Sequence, residues 1–228
     1  MSLMQKIWDD GMQQYEENVY KLMEGEHCTS LLDCGCGDGV FTMKVASKLR
    51  CSDVAGIEIH EEKTKKAKSL GIKIFKSDLN SALPFDDSSF DIVLSNFVIE
   101  HIYDVDNFIM EIKRVLKIGG CAVIGTENLA STHNFLALIL GMQPFPMTIA
   151  LSSKFRLGNK LQSKNGVPLD KSESPHVRVF AYQGLKDIFD IYEFRVEEIS
   201  GAGYPPFTGK LGNFFAGLDP RHAAFNIT

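Results

Sequence analysis

Residues 31–39 read Leu-Leu-Asp-Cys-Gly-Cys-Gly-Asp-Gly, an apolar run that ends in a carboxylate and continues into three glycines at alternate positions. The segment from Leu31 to Asp33 has the pattern of the end of a buried strand. After the glycines, apolar residues recur at helical spacing from Val40 to Leu49, which predicts a helix. Glycine tolerates positive φ and has no Cβ, so a ligand can approach such a loop closely. Strand, glycine loop and helix together predict the nucleotide-binding corner of a doubly wound α/β sheet.

The spacing of the glycines bears on which nucleotide binds. The dinucleotide fingerprint G-x-G-x-x-G would place its third glycine at position 40, where the chain has Val40. An acid, Asp33, precedes the first glycine by two residues. This D-x-G-x-G-x-G arrangement resembles motif I of the class I S-adenosylmethionine-dependent methyltransferases. The resemblance implies that a loop containing Gly35, Cys36, Gly37 and Gly39 contacts the methionine part of the cofactor, with Asp33 near its ammonium group.

A second acid follows at the next predicted strand end. Residues 53–58 read as a strand that ends in Glu58, and a carboxylate there can accept hydrogen bonds from both ribose hydroxyls of an adenosine. NAD and S-adenosylmethionine share that adenosine, so Glu58 does not distinguish them, and an exposed strand-end acid is the structural alternative. The resemblance also implies a cofactor contact at Ile59.

Residues 72–95 favour S-adenosylmethionine. They predict a third strand that ends in Asp78 and a fourth strand from Ile92 to Ser95. The run between them looks like motifs II and III of the same methyltransferases. By that resemblance Asp78 accepts from the adenine amino group, the Leu79 N–H meets a ring nitrogen, and Asn96 contacts the methionine end through its backbone. A turn-forming aspartate is the alternative for Asp78. The resemblance covers about residues 30–127.

Length and composition predict one domain. The chain has 228 residues, is 44% hydrophobic and has a net charge of −5, so no overall positive field attracts nucleic acid. Within a single domain of residues 1–228 we expect an N-terminal helical cap (1–27), a cofactor-binding core (28–130), an acceptor lid (131–180) and the C-terminal part of the sheet (181–228). The N-terminal helix, residues 3–24, either covers the cofactor or packs on the sheet edge.

The five cysteines include no C-x-x-C pair and no ligand spacing typical of zinc, so we expect no metal and reduced thiols. The N-terminus lacks the pattern of a signal peptide, and the apolar stretch 135–151 is too interrupted by glycine, glutamine and prolines to span a bilayer. These features predict a cytoplasmic protein.

The remaining segments complete a seven-stranded, mostly parallel sheet of the Rossmann-like type. A helix over 105–116 is expected to end at a left-handed glycine cap, Gly119-Gly120, before a fifth strand over 121–126. Residues 194–200 alternate like a strand, and 223–228 predict a last one. In the methyltransferases that the chain resembles, this last strand is antiparallel and lies between strands five and six.

Residues 127–180 are the segment that we associate with substrate choice. A helix is expected over 131–140, followed by a long segment rich in proline and glycine that still carries aromatic residues. We expect a lid over an apolar acceptor site. The alternatives are a homodimer contact and shallow docking on a membrane surface through 135–151.

Methyl transfer from a sulfonium needs alignment more than acid–base chemistry. Candidates for a base are His101, His133 and His176, each of which is more often a structural histidine, and Glu127 is a possible acceptor ligand. No base is assigned. The sequence therefore predicts an S-adenosylmethionine-dependent methyltransferase that acts on a small-molecule, lipid-like or sugar-like acceptor and releases S-adenosylhomocysteine. An NAD-dependent oxidoreductase and a non-catalytic S-adenosylmethionine-binding protein are the alternatives.

Overall fold

The structure, a computed structural model, describes residues 3–149, 155–162, 165–166, 168 and 175–228. Within these residues seven strands form one sheet in the order β3-β2-β1-β4-β5-β7-β6. The strands are β1 Ser30–Cys34, β2 Asp53–Ile57, β3 Lys73–Phe75, β4 Phe90–Asn96, β5 Leu116–Glu127, β6 Ser200–Ala202 and β7 Phe225–Ile227. The pairs β1–β2, β1–β4, β2–β3 and β4–β5 are parallel, and β6–β7 is antiparallel. The predicted seven-stranded, mostly parallel α/β sheet is confirmed.

Helices alternate with the strands. They are α1 Leu3–Leu22, α2 Val40–Leu49, α3 Glu61–Ser69, α4 Val105–Val115, α5 Thr132–Ile139, α6 Tyr182–Ile191 and α7 Gly209–Leu218, with short 3-10 turns at Ile99–His101, Phe145–Met147 and Pro220–His222. Helix α4 shows why they form: the Asp104 side chain accepts from the Asn107 N–H and caps the helix, and its apolar residues are buried at helical spacing. Among the described residues, no helix has the length and hydropathy needed to cross a membrane.

The chain divides into two compact units. One comprises Val19–Gly125 and Tyr192–Phe194, and the other comprises Met1–Asn18, Thr126–Ile191 and Arg195–Thr228. In the first unit β1 is buried along its whole length, and the register pairs Asp33 with Gly56 of β2 and with Leu94 of β4. A parallel strand covered on both faces requires such a continuous apolar run. Asp33 therefore lies at the carboxyl end of a central strand.

Helix α1 packs on the edge of the sheet, which was one of its two predicted positions. Trp8 and Tyr15 each make an edge-to-face contact with Phe225 of β7, at ring-centroid distances of 5.2 and 5.9 Å. The Gln14 side chain accepts from the Gly203 N–H, and Asn18 donates to the Gly201 carbonyl in β6. These contacts account for the buried face of α1 without a cofactor.

The predicted glycine cap after α4 is wrong. The helix ends at Val115, and Leu116 is already the first residue of β5. Gly119 does have positive φ (79°), but it lies inside β5, near the point where the register with β4 shifts between Phe90 and Ile92. A left-handed glycine accommodates such an irregularity in a strand as well as it ends a helix.

Two predicted strands are shorter than the alternation of residues suggested. β3 ends at Phe75, so Asp78 lies three residues beyond it, and β6 begins only at Ser200, so residues 194–199 are not a strand. Both are outer strands of the sheet. Where pairing partners are few, an alternating sequence does not by itself extend the ladder.

The expectation that all cysteines are reduced is wrong for one pair. Cys28 and Cys51 form a disulfide with a Cα–Cα distance of 5.0 Å, while Cys34, Cys36 and Cys121 are thiols. The parallel register that pairs Ser30 with Asp53 brings together the residues two positions earlier on each chain segment. Counting cysteines and searching for short spacings cannot detect a pair that only sheet register creates.

Candidate active site

The glycine loop turns sharply at the end of β1. The N–H groups of Gly35 and Cys36 both donate to the Ile57 carbonyl at the end of β2, at 2.9 and 3.1 Å. The Gly39 N–H then donates to the Cys36 carbonyl at 3.0 Å, and α2 begins at the next residue. Backbone hydrogen bonds thus hold the loop against the end of β2.

All three loop glycines have positive φ, at 80°, 56° and 79°, but packing constrains them differently. A Cβ on Gly35 would lie 2.4 Å from a Val98 methyl, and one on Gly39 would lie 2.5 Å from the Ile72 Cδ1. A Cβ on Gly37 would meet nothing within 4 Å. Gly35 and Gly39 are therefore required by the fold, whereas Gly37 leaves an open face of backbone that a ligand can approach.

Asp33 is a buried carboxyl group just before this loop. It is 3% exposed, and the Thr42 hydroxyl of α2 donates to it at 2.6 Å. Burial, and to a smaller extent the nearby charge of Glu58, raise the pKa of Asp33 to about 7, against the lowering effect of the Thr42 hydrogen bond. Asp33 can therefore change its charge near neutral pH, when a cation binds beside it.

Glu58 follows β2 directly and is 7% exposed. One of its carboxylate oxygens accepts from the His60 N–H at 2.8 Å, which fixes the side chain at the strand end. Ile59, the next residue, has a side chain that is 54% exposed. The influence of Glu58 on Asp33 shows that the structure brings these two predicted acids together.

Asp78 has a more exposed environment than Asp33 and Glu58. It is exposed, and its carboxylate accepts from both the backbone N–H and the side-chain amide of Asn80, at 3.0 and 2.8 Å, which hold its pKa below the usual range. Asn80 in turn accepts from the N–H groups of Tyr103 and Asp104. Asp78 thus has the geometry of a turn-forming aspartate, and its contact with adenine stays a prediction.

The other predicted cofactor residues border the same strand ends. Leu79 follows Asp78 in the turn, and Asn96 is the last residue of β4; both are half-buried. Cys36 is buried within the loop, and burial together with the charge of Asp33 raises the pKa of its thiol to about 12. Cys36 therefore acts here as a small neutral side chain and not as a nucleophile.

A different acid ends β5 in the other unit. Burial raises the pKa of Glu127 to about 7, opposed by the positive charge of Arg156. The Nδ1 of His176 lies 3.2 Å from a carboxylate oxygen of Glu127, and both side chains are largely buried. A carboxyl group with a pKa near 7 can take up or release a proton at physiological pH.

The two remaining histidine candidates differ from this arrangement. The His133 ring contacts Phe145 edge-to-face at 5.0 Å, and burial lowers its pKa to about 4, so it is neutral and weakly basic at pH 7. His101 is half-buried in the 3-10 turn Ile99–His101, where its backbone N–H donates to the Val98 carbonyl. The catalytic role of either histidine stays a prediction.

A protein-family model described as a methyltransferase domain matches residues 32–124, from within β1 to within β5. Residues 32–124, under half of the chain, are similar to a methyltransferase domain. The seven-stranded sheet and the solved structures of the same fold show that the chain has the Rossmann-like fold of S-adenosylmethionine-dependent methyltransferases.

Curated proteins that are similar to this part of the chain are named for different methyl-transfer reactions. Ajmaline N-methyltransferase of Rauvolfia serpentina is 38% identical over 104 residues, which cover 42% of this chain and 35% of that protein. Demethylmenaquinone methyltransferase of Chlorobaculum tepidum is 33% identical over 105 residues, covering 46% and 43%. The chain thus spans well under two thirds of the curated relatives that it matches. An S-adenosylmethionine-dependent methyltransferase from Mesorhizobium loti has the same fold, with a TM-score of 0.61 at 18% identity, over 93% of this chain and 95% of that one.

Thr42 lies within residues 32–124 and is a site residue that the sequence motifs did not predict. It lies in the first turn of α2, is fully buried, and supplies the hydrogen bond that holds Asp33. In the sequence, Thr42 stands out only as a hydroxyl residue among the apolar residues of that turn. The expected lid over the acceptor stays a prediction. Part of it, residues 150–154, 163–164, 167 and 169–174, lies outside the described residues.

Proposed function

We propose that this protein binds S-adenosylmethionine at the glycine loop and transfers its methyl group to a small-molecule acceptor of lipid-like or sugar-like character. The observation that carries the proposal is the open backbone at Gly37, flanked by the two buried acids Asp33 and Glu58. A buried carboxyl with a raised pKa is costly unless a cation compensates it, and the cofactor's ammonium group supplies such a cation.

The residues of the domain would hold the cofactor from both ends. Asp33 would face the ammonium group, and Gly37 would allow the methionine part to approach the backbone. Glu58 would accept from the ribose hydroxyls, since the His60 N–H already orients its carboxylate. The exposed side chain of Ile59 would gain an apolar contact with the adenine ring.

The bound cofactor supplies a methyl group on a sulfonium, which leaves readily as the neutral thioether of S-adenosylhomocysteine. The chain's own contribution is to align the acceptor with that methyl group and to exclude water. Alignment of this kind is worth roughly 7–11 kcal/mol of activation free energy. The chemistry therefore makes few demands on side chains beyond position.

An acceptor whose nucleophile is a hydroxyl or an amine must also lose a proton, and the pKa of Glu127 alone makes this residue a candidate for such chemistry. Its pKa of about 7 leaves it ionised and basic enough at physiological pH to take the proton as the nucleophile gains the methyl group. His176, 3.2 Å away, would orient the carboxylate. His133, with its lowered pKa, is the weaker candidate.

Calorimetric titration with S-adenosylhomocysteine tests the cofactor site. We expect Glu58→Gln to weaken binding about tenfold to a hundredfold, because a charge-assisted hydrogen-bond pair is lost. The matched control is Glu62→Gln, an exposed glutamate four residues later on α3. Absence of binding by the wild-type protein at millimolar ligand would overturn the proposal.

Transfer of a tritiated methyl group to metabolite and lipid extracts tests turnover. We expect Glu58→Gln to lower the rate of transfer at subsaturating S-adenosylmethionine in proportion to its loss of affinity, and Glu62→Gln to leave the rate unchanged. Binding without any transfer would favour the alternative of a non-catalytic cofactor-binding protein.

A further inference from the structure

The segment 128–168 has a charge that is opposite to that of the rest of the chain. It contains no aspartate or glutamate and carries four basic residues, Lys154, Arg156, Lys160 and Lys164. Elsewhere the chain has 20 basic residues against 29 acidic ones. The sequence thus contains a basic, acid-free segment of 41 residues within an acidic protein.

Helix α5, within this segment, exposes an apolar face. Five large apolar residues of α5 and its C-cap have side chains that are 50–65% exposed: Phe135, Leu136, Leu138, Ile139 and Leu140. The buried residues of the helix are Asn134 and Ala137. A helix that only packs on a protein shows the reverse distribution, with polar residues toward water.

The segment that follows is attached to α5 by backbone hydrogen bonds. The Phe145 N–H donates to the Asn134 side chain, and the Met142 N–H donates to the Ala137 carbonyl, both at 2.8 Å. The Leu157 N–H donates to the Thr148 carbonyl at 2.9 Å. This bond connects Leu157 to the residue that directly follows the 3-10 turn Phe145–Met147. Leu157 and Leu161 are also 50% and 43% exposed. These apolar side chains therefore belong to an ordered part of the unit.

We propose that this α5 surface, defined as Phe135, Leu136, Leu138, Ile139, Leu140, Leu157 and Leu161, docks on an anionic lipid bilayer. Apolar side chains enter the boundary between headgroups and acyl chains, and basic residues such as the exposed Lys160 pair with lipid phosphates. The α5 surface lies on the bilayer and does not cross it, because α5 has only 8 residues.

The charge of the segment favours a membrane over a second copy of this chain. In a symmetric dimer through the α5 surface, the exposed Lys160 of each copy would meet a segment whose sequence contains no acid. An anionic bilayer provides the opposite charge along with an apolar layer. Both requirements of the α5 surface are met by one partner.

Flotation with lipid vesicles tests the proposal on the full chain. We expect binding to vesicles of phosphatidylcholine with roughly 30% phosphatidylglycerol, a loss of binding in high salt, and little binding to pure phosphatidylcholine. Phe135→Ser with Ile139→Ser should weaken binding about tenfold or more, because two large side chains no longer leave water. The matched control is Ile118→Ser with Ile191→Ser, two exposed isoleucines outside the segment.

The outcomes separate this proposal from the methyltransferase function. Calorimetry with S-adenosylhomocysteine and thermal melting should be the same for both double variants and the wild type, which shows that folding and the cofactor site are intact. The proposal is overturned if the wild type does not float, if it floats equally with uncharged vesicles, or if both double variants lose binding alike. It is also overturned if sedimentation shows a dimer that Phe135→Ser with Ile139→Ser dissociates and vesicles do not compete with.

Discussion

Replacing Asp33 with asparagine should remove part of the pH dependence of stability. The folded protein holds the pKa of this carboxyl at about 7, whereas an unfolded aspartate has its usual value of 3.8. Between these two values the folded state keeps a proton that the unfolded state has released, so raising the pH favours unfolding. The cost is absent below pH 3.8, grows as the pH rises, and is complete above pH 7.

The magnitude follows from the two pKa values. At about 1.36 kcal/mol per pH unit, the full cost is roughly 4 kcal/mol, of which about 2–3 kcal/mol develops between pH 5 and pH 8. The asparagine side chain of the Asp33→Asn variant would still accept the hydrogen bond from Thr42 but would carry no charge. Between pH 5 and pH 8, the free energy of unfolding should therefore fall by about 2–3 kcal/mol less in the variant than in the wild type.

Urea unfolding at pH 5, 6, 7 and 8 measures the difference. Asp86→Asn, at an exposed acid of the same unit, serves as the control and should behave like the wild type. Glu127→Gln, which removes the other buried acid with a pKa near 7, should flatten the curve separately. If the wild type and Asp33→Asn lose the same free energy between pH 5 and pH 8, the pKa of the buried carboxyl is not raised.

Three further predictions concern the glycine loop, the disulfide and the loop before β4. Gly37→Ala should cost roughly 1–2 kcal/mol of stability and should also lower the affinity for S-adenosylhomocysteine, as measured by calorimetry. Gly71 also has positive φ and has no atom within 4 Å of an added Cβ, so Gly71→Ala should affect stability alone. Thiol titration of the unfolded protein should find three thiols without reductant and five with it, and Cys28→Ser with Cys51→Ser should lower the unfolding free energy by roughly 3 kcal/mol; five thiols at the outset would contradict the disulfide. Arg114→Met should cost about 2 kcal/mol in urea unfolding, because this side chain donates to two backbone carbonyls of the loop and to two carboxylates, and an unchanged midpoint would exclude that role.

The central part of the sheet was the most predictable from sequence. β1, β2 and β4 are short apolar runs bounded by turns, and they are buried on both faces, so their own residues specify them. The glycine loop was predictable for a similar reason, since alternate glycines have few uses other than positive φ at a strand end. In both cases the physical constraint is local and is written into the residues themselves.

Features that depend on a partner elsewhere in the chain were predicted less well. The sequence around Gly119 indicates a left-handed residue, but only the pairing of β5 with β4 decides whether it ends a helix or interrupts a strand. Disulfide pairing of Cys28 with Cys51 needs the register of β1 and β2. Thr42 gains its role only because α2 returns over the end of β1. Asp78 could equally form a turn or bind adenine, and its contacts with Asn80 were not visible in the spacing.

The position of β7 has a consequence for how the polypeptide acquires its structure during synthesis. In the sheet order, β6 is joined to the remaining strands only through β7, whose three residues are buried and come after β6 in the chain. A ribosome therefore releases the aromatic side chains of α1 that contact Phe225 long before Phe225 itself is synthesised. Until the segment around residue 225 emerges, the nascent chain has an unfinished sheet edge and exposed aromatic rings, which are typical binding sites for chaperones.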